Sequence, residues 1–125
     1  MTIKECIDIA DAVKPNQYST EEKVRWLSQL DMRIFQNIIC THHRLPDEPE
    51  ITFEQYSSDN LSYALLEIPP HDELYVAFLK MKIDEENGES TRYNNSASMF
   101  NTLYEEFEKK YNKTHMPKGC MMKIF

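Results

Sequence analysis

Apolar residues near the N-terminus recur every three or four positions. They are Ile3, Cys6, Ile7, Ala10 and Val13. This is the period of one face of a helix, and Thr2 and Glu5 have the spacing of a capping box at its start. The pattern therefore predicts a first helix that begins at the N-terminus and ends before Pro15.

A second apolar pattern predicts a longer helix from Thr20 to Cys40. Ser19 and Glu22 again have capping-box spacing at its start. The apolar positions step by three or four and are widened by two aromatic residues: Val24, Leu27, Leu30, Ile34 and Ile38, with Trp26 and Phe35. We expect this face to be buried against other helices.

A third helix is predicted after Pro69 and Pro70, because proline is tolerated at a helix start and the acids that follow favour the helix dipole. Its apolar face combines Leu74, Phe78, Leu79, Met81 and Ile83. Asn87-Gly88 could form a hairpin turn, but the flanking residues have helical period. We interpret Gly88 as the residue that ends this helix.

The last helix, predicted from Ser90 to Thr114, has the clearest pattern. Its seam residues are Tyr93, Ala97, Phe100, Tyr104, Phe107 and Tyr111, spaced 4, 3, 4, 3, 4. The helix would be about 37 Å long at 1.5 Å per residue. An aromatic seam suits packing against several helices better than a two-stranded coiled coil. We interpret it as the core helix of a bundle.

The segment from residue 41 to 70 breaks the helical period with four prolines and many acids. Residues 51–56 and 61–68 alternate weakly, which is compatible with a short β-hairpin. Residues 118–125 are expected to form a flexible tail that serves assembly. The sequence thus predicts one mostly α domain, residues 1–125: a bundle of about four helices, a long C-terminal helix and a proline-broken insert.

Composition narrows the function classes. The chain has 125 residues and only two glycines, which excludes Gly-rich phosphate loops and nucleotide-binding fingerprints. Its longest apolar run, six residues from Leu74 to Leu79, is far below the roughly 20 of a membrane helix. With no signal-like segment and three widely spaced cysteines, we expect a cytoplasmic protein with reduced thiols and no membrane partner.

Charge is distributed unevenly along the chain. The net charge is −7, yet five lysines and no acid follow residue 108. The preceding part, with nine bases and 21 acids, repels nucleic-acid phosphates. The basic end could solubilise the chain or contact an acidic partner.

The strongest candidate for a metal site is the segment Cys40, His42 and His43, with a further ligand from His71 or His115. Zinc needs three or four converging donors, and nothing in the sequence fixes the distant ones nearby. We favour the alternative that the adjacent histidines cap a helix C-terminus. We therefore predict no bound metal and no cofactor.

No other motif predicts catalysis. The serines lack a nucleophile-elbow context, and no cysteine has a readable base nearby. The run Asp84-Glu85-Glu86 is expected to radiate into solvent rather than to face one pocket. We predict that the protein is not an enzyme and has no catalytic residues.

A DNA-binding helix-turn-helix would use the Asn87–Glu89 turn and place Arg92, Asn94 and Asn95 at the start of a recognition helix. The acidic residues beside that turn would meet the DNA backbone, so like-charge repulsion argues against this function.

Several stretches resemble the head–tail connector (adaptor) proteins that sit beneath the portal of tailed phages and prophages. They are Trp26-Leu-x-x-Leu-Asp31, Ile68-Pro-Pro-His-Asp-Glu-Leu-Tyr75, Ile83-Asp-Glu-Glu-Asn-Gly-Glu89, Arg92-Tyr-Asn-Asn-Ser96, Met99-Phe-Asn101 and Tyr111-Asn-Lys-Thr-His-Met-Pro117. The resemblance is weakest over residues 41–60 and carries no catalytic signature.

The resemblance implies a structural virion protein that forms a ring between the portal and the tail or stopper proteins. DNA would pass through the ring without sequence-specific binding. The protein would lie in the virion neck, and in the host cytoplasm before assembly. The insert at 41–70 and the tail are the segments expected to reach neighbours. The alternative is a small helical binding or regulatory phage protein that acts on another protein.

Overall fold

The computed structural model describes residues 1–67, 71–116 and 118. It confirms a mostly helical bundle with four α-helices: α1 (Ile3–Val13), α2 (Thr20–Ile34), α3 (Glu73–Glu86) and α4 (Ser90–Thr114). A π-helical turn (Phe35–Ile39) continues α2, and a short 3-10 helix covers Ser58–Asn60. None of the described helices is long and apolar enough to cross a bilayer.

The predicted helix ends rest on local hydrogen bonds. The Thr2 hydroxyl accepts from the Glu5 N–H at 3.1 Å, and the Glu5 carboxylate accepts from the Thr2 N–H at 3.3 Å. At the start of α2, the Ser19 hydroxyl accepts from the Glu22 N–H at 3.2 Å. After α3, Gly88 has a φ of +71°, a conformation that favours glycine and confirms its predicted place beyond the helix end.

The central element is α3, which packs against each of the other three helices. Six consecutive residues, from Leu74 to Leu79, are buried, so this helix has no face turned to solvent over that stretch. A helix that is apolar all round is expected at the centre of a small bundle.

The aromatic seam of α4 faces this core, as predicted. Phe100, Tyr104 and Phe107 are buried, and the Phe100 ring lies 5.2 Å from the ring of Phe78 on α3. The other seam residues, towards the two ends of the helix, are only half-buried.

The sequence pattern wrongly assigns Val13 to the buried face of α1. Val13, the last residue of α1, is 57% exposed, so the buried face of α1 ends at Ala10. The chain leaves the helix at Lys14, whose ammonium pairs with the buried Asp84 carboxylate on α3 at 3.0 Å.

The insert forms no β-hairpin within the part that the structure describes. Instead, the chain from Leu61 to Leu65 runs along the N-terminus of α1, with one antiparallel bridge between Thr2 and Ala64. The Leu61 carbonyl accepts from the Lys4 N–H at 2.9 Å, next to a similar bond at Ile3. The first amides of a helix lack partners within it, so this segment satisfies groups that a separate hairpin would leave to water.

Candidate functional site

A cavity of about 420 Å³ lies between the end of α2, the insert and the end of α4. Its lining combines apolar and charged side chains: Phe35, Ile39, Cys40, His42, His43, Arg44, Glu48, Pro49, Glu50, Ile51, Tyr111 and Lys118. Because it contains the histidine segment singled out in the sequence, this is the candidate functional site.

The π-helical turn builds one wall of the cavity. We predicted a regular helix up to Cys40, but its N–H bonds to the carbonyl of Phe35, five residues back, at 2.8 Å. The wider turn keeps both Ile34 and Ile38 buried and is followed by His42, which is also buried. A π turn changes which side chains face inward, and such turns are frequent at functional sites.

His42 links the π-helical wall of the cavity to α4. Its Nδ1 donates to the Ile38 carbonyl at 2.6 Å, as predicted for a capping histidine, whereas His43, the other residue of that prediction, is exposed. The Nε2 of His42 lies 2.5 Å from the Asn112 side-chain oxygen, and its ring meets Tyr111 edge-on at 5.0 Å. If the imidazole is neutral, the Asn112 amide must turn its nitrogen towards Nε2, whereas an imidazolium donates to the oxygen. Both ring nitrogens are therefore occupied by protein groups.

His115 makes a second link, between α4 and the insert. Its Nε2 lies 3.0 Å from both oxygens of the Glu48 carboxylate. Its Nδ1 lies 2.8 Å from the Thr114 hydroxyl, which itself donates to the carbonyls of the preceding helical turn. Both ring nitrogens of His115 are therefore occupied by protein groups, and the contact with Glu48 fixes the insert to the end of α4.

The ring of Tyr111 lies between the two histidines. It stacks on His115 at 3.9 Å with an interplanar angle of 4°. Burial, with smaller contributions from nearby Glu48, Glu67 and Cys40, raises the pKa of Tyr111 to about 12. The phenol therefore stays neutral at physiological pH and acts as a packing surface, not as a base.

The residues that the structure describes do not form a metal site. No group of three or more His, Cys, Asp or Glu side chains lies close enough there to hold an ion. Cys40 and His43 are exposed, and His71 packs on the ring of Phe107 at 5.6 Å. Cys40 and the buried Cys6 are free thiols, whereas Cys120 lies outside the described residues.

A second polar cluster, which the sequence analysis missed, fixes the insert to the core. The buried Asp31 carboxylate accepts from the hydroxyls of Tyr56 and Tyr75, each at 2.5 Å, and from the Leu66 N–H at 3.1 Å. Burial raises the pKa of Asp31, and these three hydrogen bonds oppose the shift. The sequence did contain one signal of this cluster: Asp31 lies four residues after Leu27 and therefore on the apolar face of α2.

The acidic run at the end of α3 is only partly solvated. Glu85 and Glu86 are exposed as predicted, but Asp84 is buried and accepts from the Ser96 hydroxyl at 2.5 Å. Asp84 lies seven residues after the buried Ala77, on the same face of α3, and its bond to Ser96 holds it against α4, which overturns the expectation that all three acids radiate into solvent.

The residues considered for DNA recognition, Arg92, Asn94 and Asn95, are all exposed on the first turns of α4. The Arg92 guanidinium lies 3.3 Å from the carboxylate of Glu89, which precedes the helix. The positive charge at this position is therefore already partnered by an acid.

Comparison with protein-family models, with curated proteins and with solved structures finds no match for this chain.

Proposed function

We propose that the chain is a structural virion protein of tailed phages, a head–tail connector that forms a ring between portal and tail proteins. The proposal rests first on the resemblance of the α2, α3 and α4 sequences to that family. DNA would pass through the ring without sequence-specific contacts, and no catalytic step would be needed.

The observation that carries the proposal is how the polar side chains inside the molecule are used. Asp31, Asp84, His42 and His115 each bond to another segment of the same chain. Within the described residues, no buried side-chain nitrogen or oxygen lacks a partner. Polar side chains that already bond within the chain are more typical of a structural protein than of an enzyme, because an enzyme needs an available acid, base or nucleophile.

The distribution of charge also supports self-association. Lys109, Lys110 and Lys113 are exposed at the end of α4, whereas the acids lie on the rest of the chain. A ring forms when one face of each copy contacts a different face of the next. Attraction between these lysines of one copy and acidic residues of the next would guide that contact.

A second candidate function, binding of another protein as a small helical regulator, is favoured by the cavity beside His42. Its lining combines apolar and charged side chains, which suits the side chains of a partner segment. Such a regulator would bind without forming a ring.

Electron microscopy separates these two functions. The purified chain is mixed with portal-bearing heads that lack necks, and the heads are imaged by negative stain. We expect a ring of added density at the portal vertex. Heads without added density, together with a one-to-one complex of the chain with another phage or host protein, would contradict the connector and support the regulator.

A truncation tests the role of the C-terminal tail in assembly. The predicted segment 118–125 begins at Lys118, whose N–H donates to the Thr41 carbonyl at 2.6 Å, and its other residues lie outside the described part. A chain that ends after Lys118 keeps that bond. It should melt at the same temperature as the full chain but fail to attach to heads. Normal attachment would remove the tail from the assembly model.

A further inference from the structure

The surface of α4 opposite its aromatic seam has a second seven-residue pattern. We define the outer stripe as Arg92, Asn95, Met99, Thr102, Glu106 and Lys109, spaced 3, 4, 3, 4, 3. All six side chains are exposed. Residues at this spacing share one face of a helix, so the stripe is a continuous surface along most of α4.

The middle of this surface carries no charge. From Tyr93 to Tyr104 there is no Asp, Glu, Lys or Arg, although such residues make up 28% of the chain. Met99 is 60% exposed at the centre of this stretch. Depletion of charge around an exposed methionine, with charged residues at the margins, is typical of a protein–protein interface.

The charges at the two ends are ordered symmetrically about Met99. Arg92 lies seven residues before it and Glu106 seven residues after it, which is about 10 Å along the helix in each direction. Glu89 and Lys109 likewise lie ten residues before and after it. Along the chain the order is negative, positive, neutral, negative, positive.

We propose that the outer stripe binds the outer stripe of a second copy of this chain, with the two α4 helices antiparallel and Met99 at the two-fold axis. Reversal of the charge order makes the two stripes complementary. Arg92 then faces Glu106 of the other copy, and Glu89 faces its Lys109, in exchange for the exposed ion pair that Arg92 and Glu89 form within each copy. A parallel arrangement would instead place Arg92, Glu106 and Lys109 each against its own copy, so repulsion selects the antiparallel form.

The proposed contact is isologous, because the same patch is used on both copies. It joins the copies through a small uncharged centre and several exposed ion pairs, each of which contributes little. We therefore expect a weak dimer, with a Kd of about 10–100 µM at low salt and weaker at high salt. The inference does not depend on the connector proposal, since it concerns the isolated chain.

Sedimentation equilibrium of the full chain, over a concentration range on both sides of this Kd, tests the proposal. We expect Met99→Glu to weaken the dimer at least about tenfold, since it places two carboxylates together at the two-fold axis. Asn101→Glu is the matched control, because it adds the same charge to an exposed position of α4 outside the stripe. It should leave the Kd within about twofold of the parent.

A charge swap identifies the register. Arg92→Glu and Glu106→Arg should each weaken the dimer, whereas the chain with both changes should regain the parent Kd, because the opposite charges still face each other across the axis. Both positions are exposed, and Arg92→Glu places an acid in the first turn of α4, where it suits the helix dipole, so folding should be preserved.

Three results would overturn the proposal. They are a chain that stays monomeric over the whole concentration range, a dimer that responds equally to Met99→Glu and Asn101→Glu, and a double variant that dimerises no better than the single ones. None of these results bears on attachment to phage heads, which the electron microscopy measures separately.

Discussion

Truncation of Phe107 tests whether the aromatic seam of α4 holds the bundle together. Its side chain is 1% exposed and lies between three other rings, with centroids 5.6 Å away at His71, 6.3 Å at Tyr104 and 5.9 Å at Tyr111. The change Phe107→Ala removes the ring and leaves its neighbours without a packing partner.

The expected loss of stability follows from two contributions. Exposure of a buried phenylalanine side chain costs about 1.5–3 kcal/mol in transfer free energy. A remaining void of on the order of 80 Å³, at about 24 cal/mol per Å³, costs about 2 kcal/mol more. We therefore expect a decrease of about 3.5–5 kcal/mol in the free energy of unfolding, a large part of the 5–15 kcal/mol typical of a domain.

Urea denaturation followed by circular dichroism measures this decrease. With an m-value of about 1.5 kcal/mol/M, the midpoint should fall by about 2–3 M. Phe100→Ala should behave alike, because Phe100 is 2% exposed on the same seam. Asn101→Ala, on the exposed side of α4, is the control and should change the stability by less than about 0.7 kcal/mol. Midpoints equal to that of the parent for both phenylalanine variants would show that the seam does not face the core.

Three further predictions concern the polar groups. Tyr75→Phe should lower the free energy of unfolding by about 1.5–3 kcal/mol in urea denaturation, because it removes a hydrogen bond to the buried Asp31 carboxylate. Tyr63→Phe, at an exposed ring, is the control and should lower it by less than about 0.5 kcal/mol. Equal effects of the two changes would contradict the role of Asp31. Burial raises the pKa of Glu67 from 4.5 to about 7, with smaller contributions from nearby carboxylates, so the folded state keeps a proton that the unfolded state loses. The parent should therefore lose stability as the pH rises from 4.5 to about 7. Glu67→Gln should be more stable than the parent by about 1–3 kcal/mol at pH 8, but not at pH 4. The same difference in stability at both pH values would contradict this assignment. Elemental analysis of untagged protein should find no stoichiometric zinc or iron, and one ion per chain lost on mutation of the segment 40–43 would revive a metal site.

The helices could be predicted from the sequence because their signals are local. The capping residues Thr2 and Ser19 lie within three residues of the amides that they bind, and the seam of α4 repeats within a single element. The bounds Ser90–Thr114 agree with the prediction for the same reason. The π turn after Ile34 could not be predicted in this way, since its apolar pattern continues that of α2 without a break.

The polar clusters could not be predicted because their partners are distant in the chain. Asp31 bonds to tyrosines 25 and 44 residues away, and His115 bonds to Glu48, 67 residues away. Nothing in the local sequence tells which of several tyrosines or acids will be the partner. The sequence could show only that an acid lies on an apolar helix face and therefore needs a partner.

The way in which the insert is held limits the surfaces that can join copies of this protein. We expected residues 41–70 to reach neighbours, but Tyr56 and Leu66 bond to Asp31, and Leu61 bonds to the start of α1. Release of this segment would leave a buried carboxylate and helix amides without partners, so an assembly that needed it would have to compensate that loss. The exposed face of α4 can be used without breaking any bond of the core. Because a two-fold contact there closes on itself, a ring of the same chain must either use a second surface or form after the dimer has dissociated.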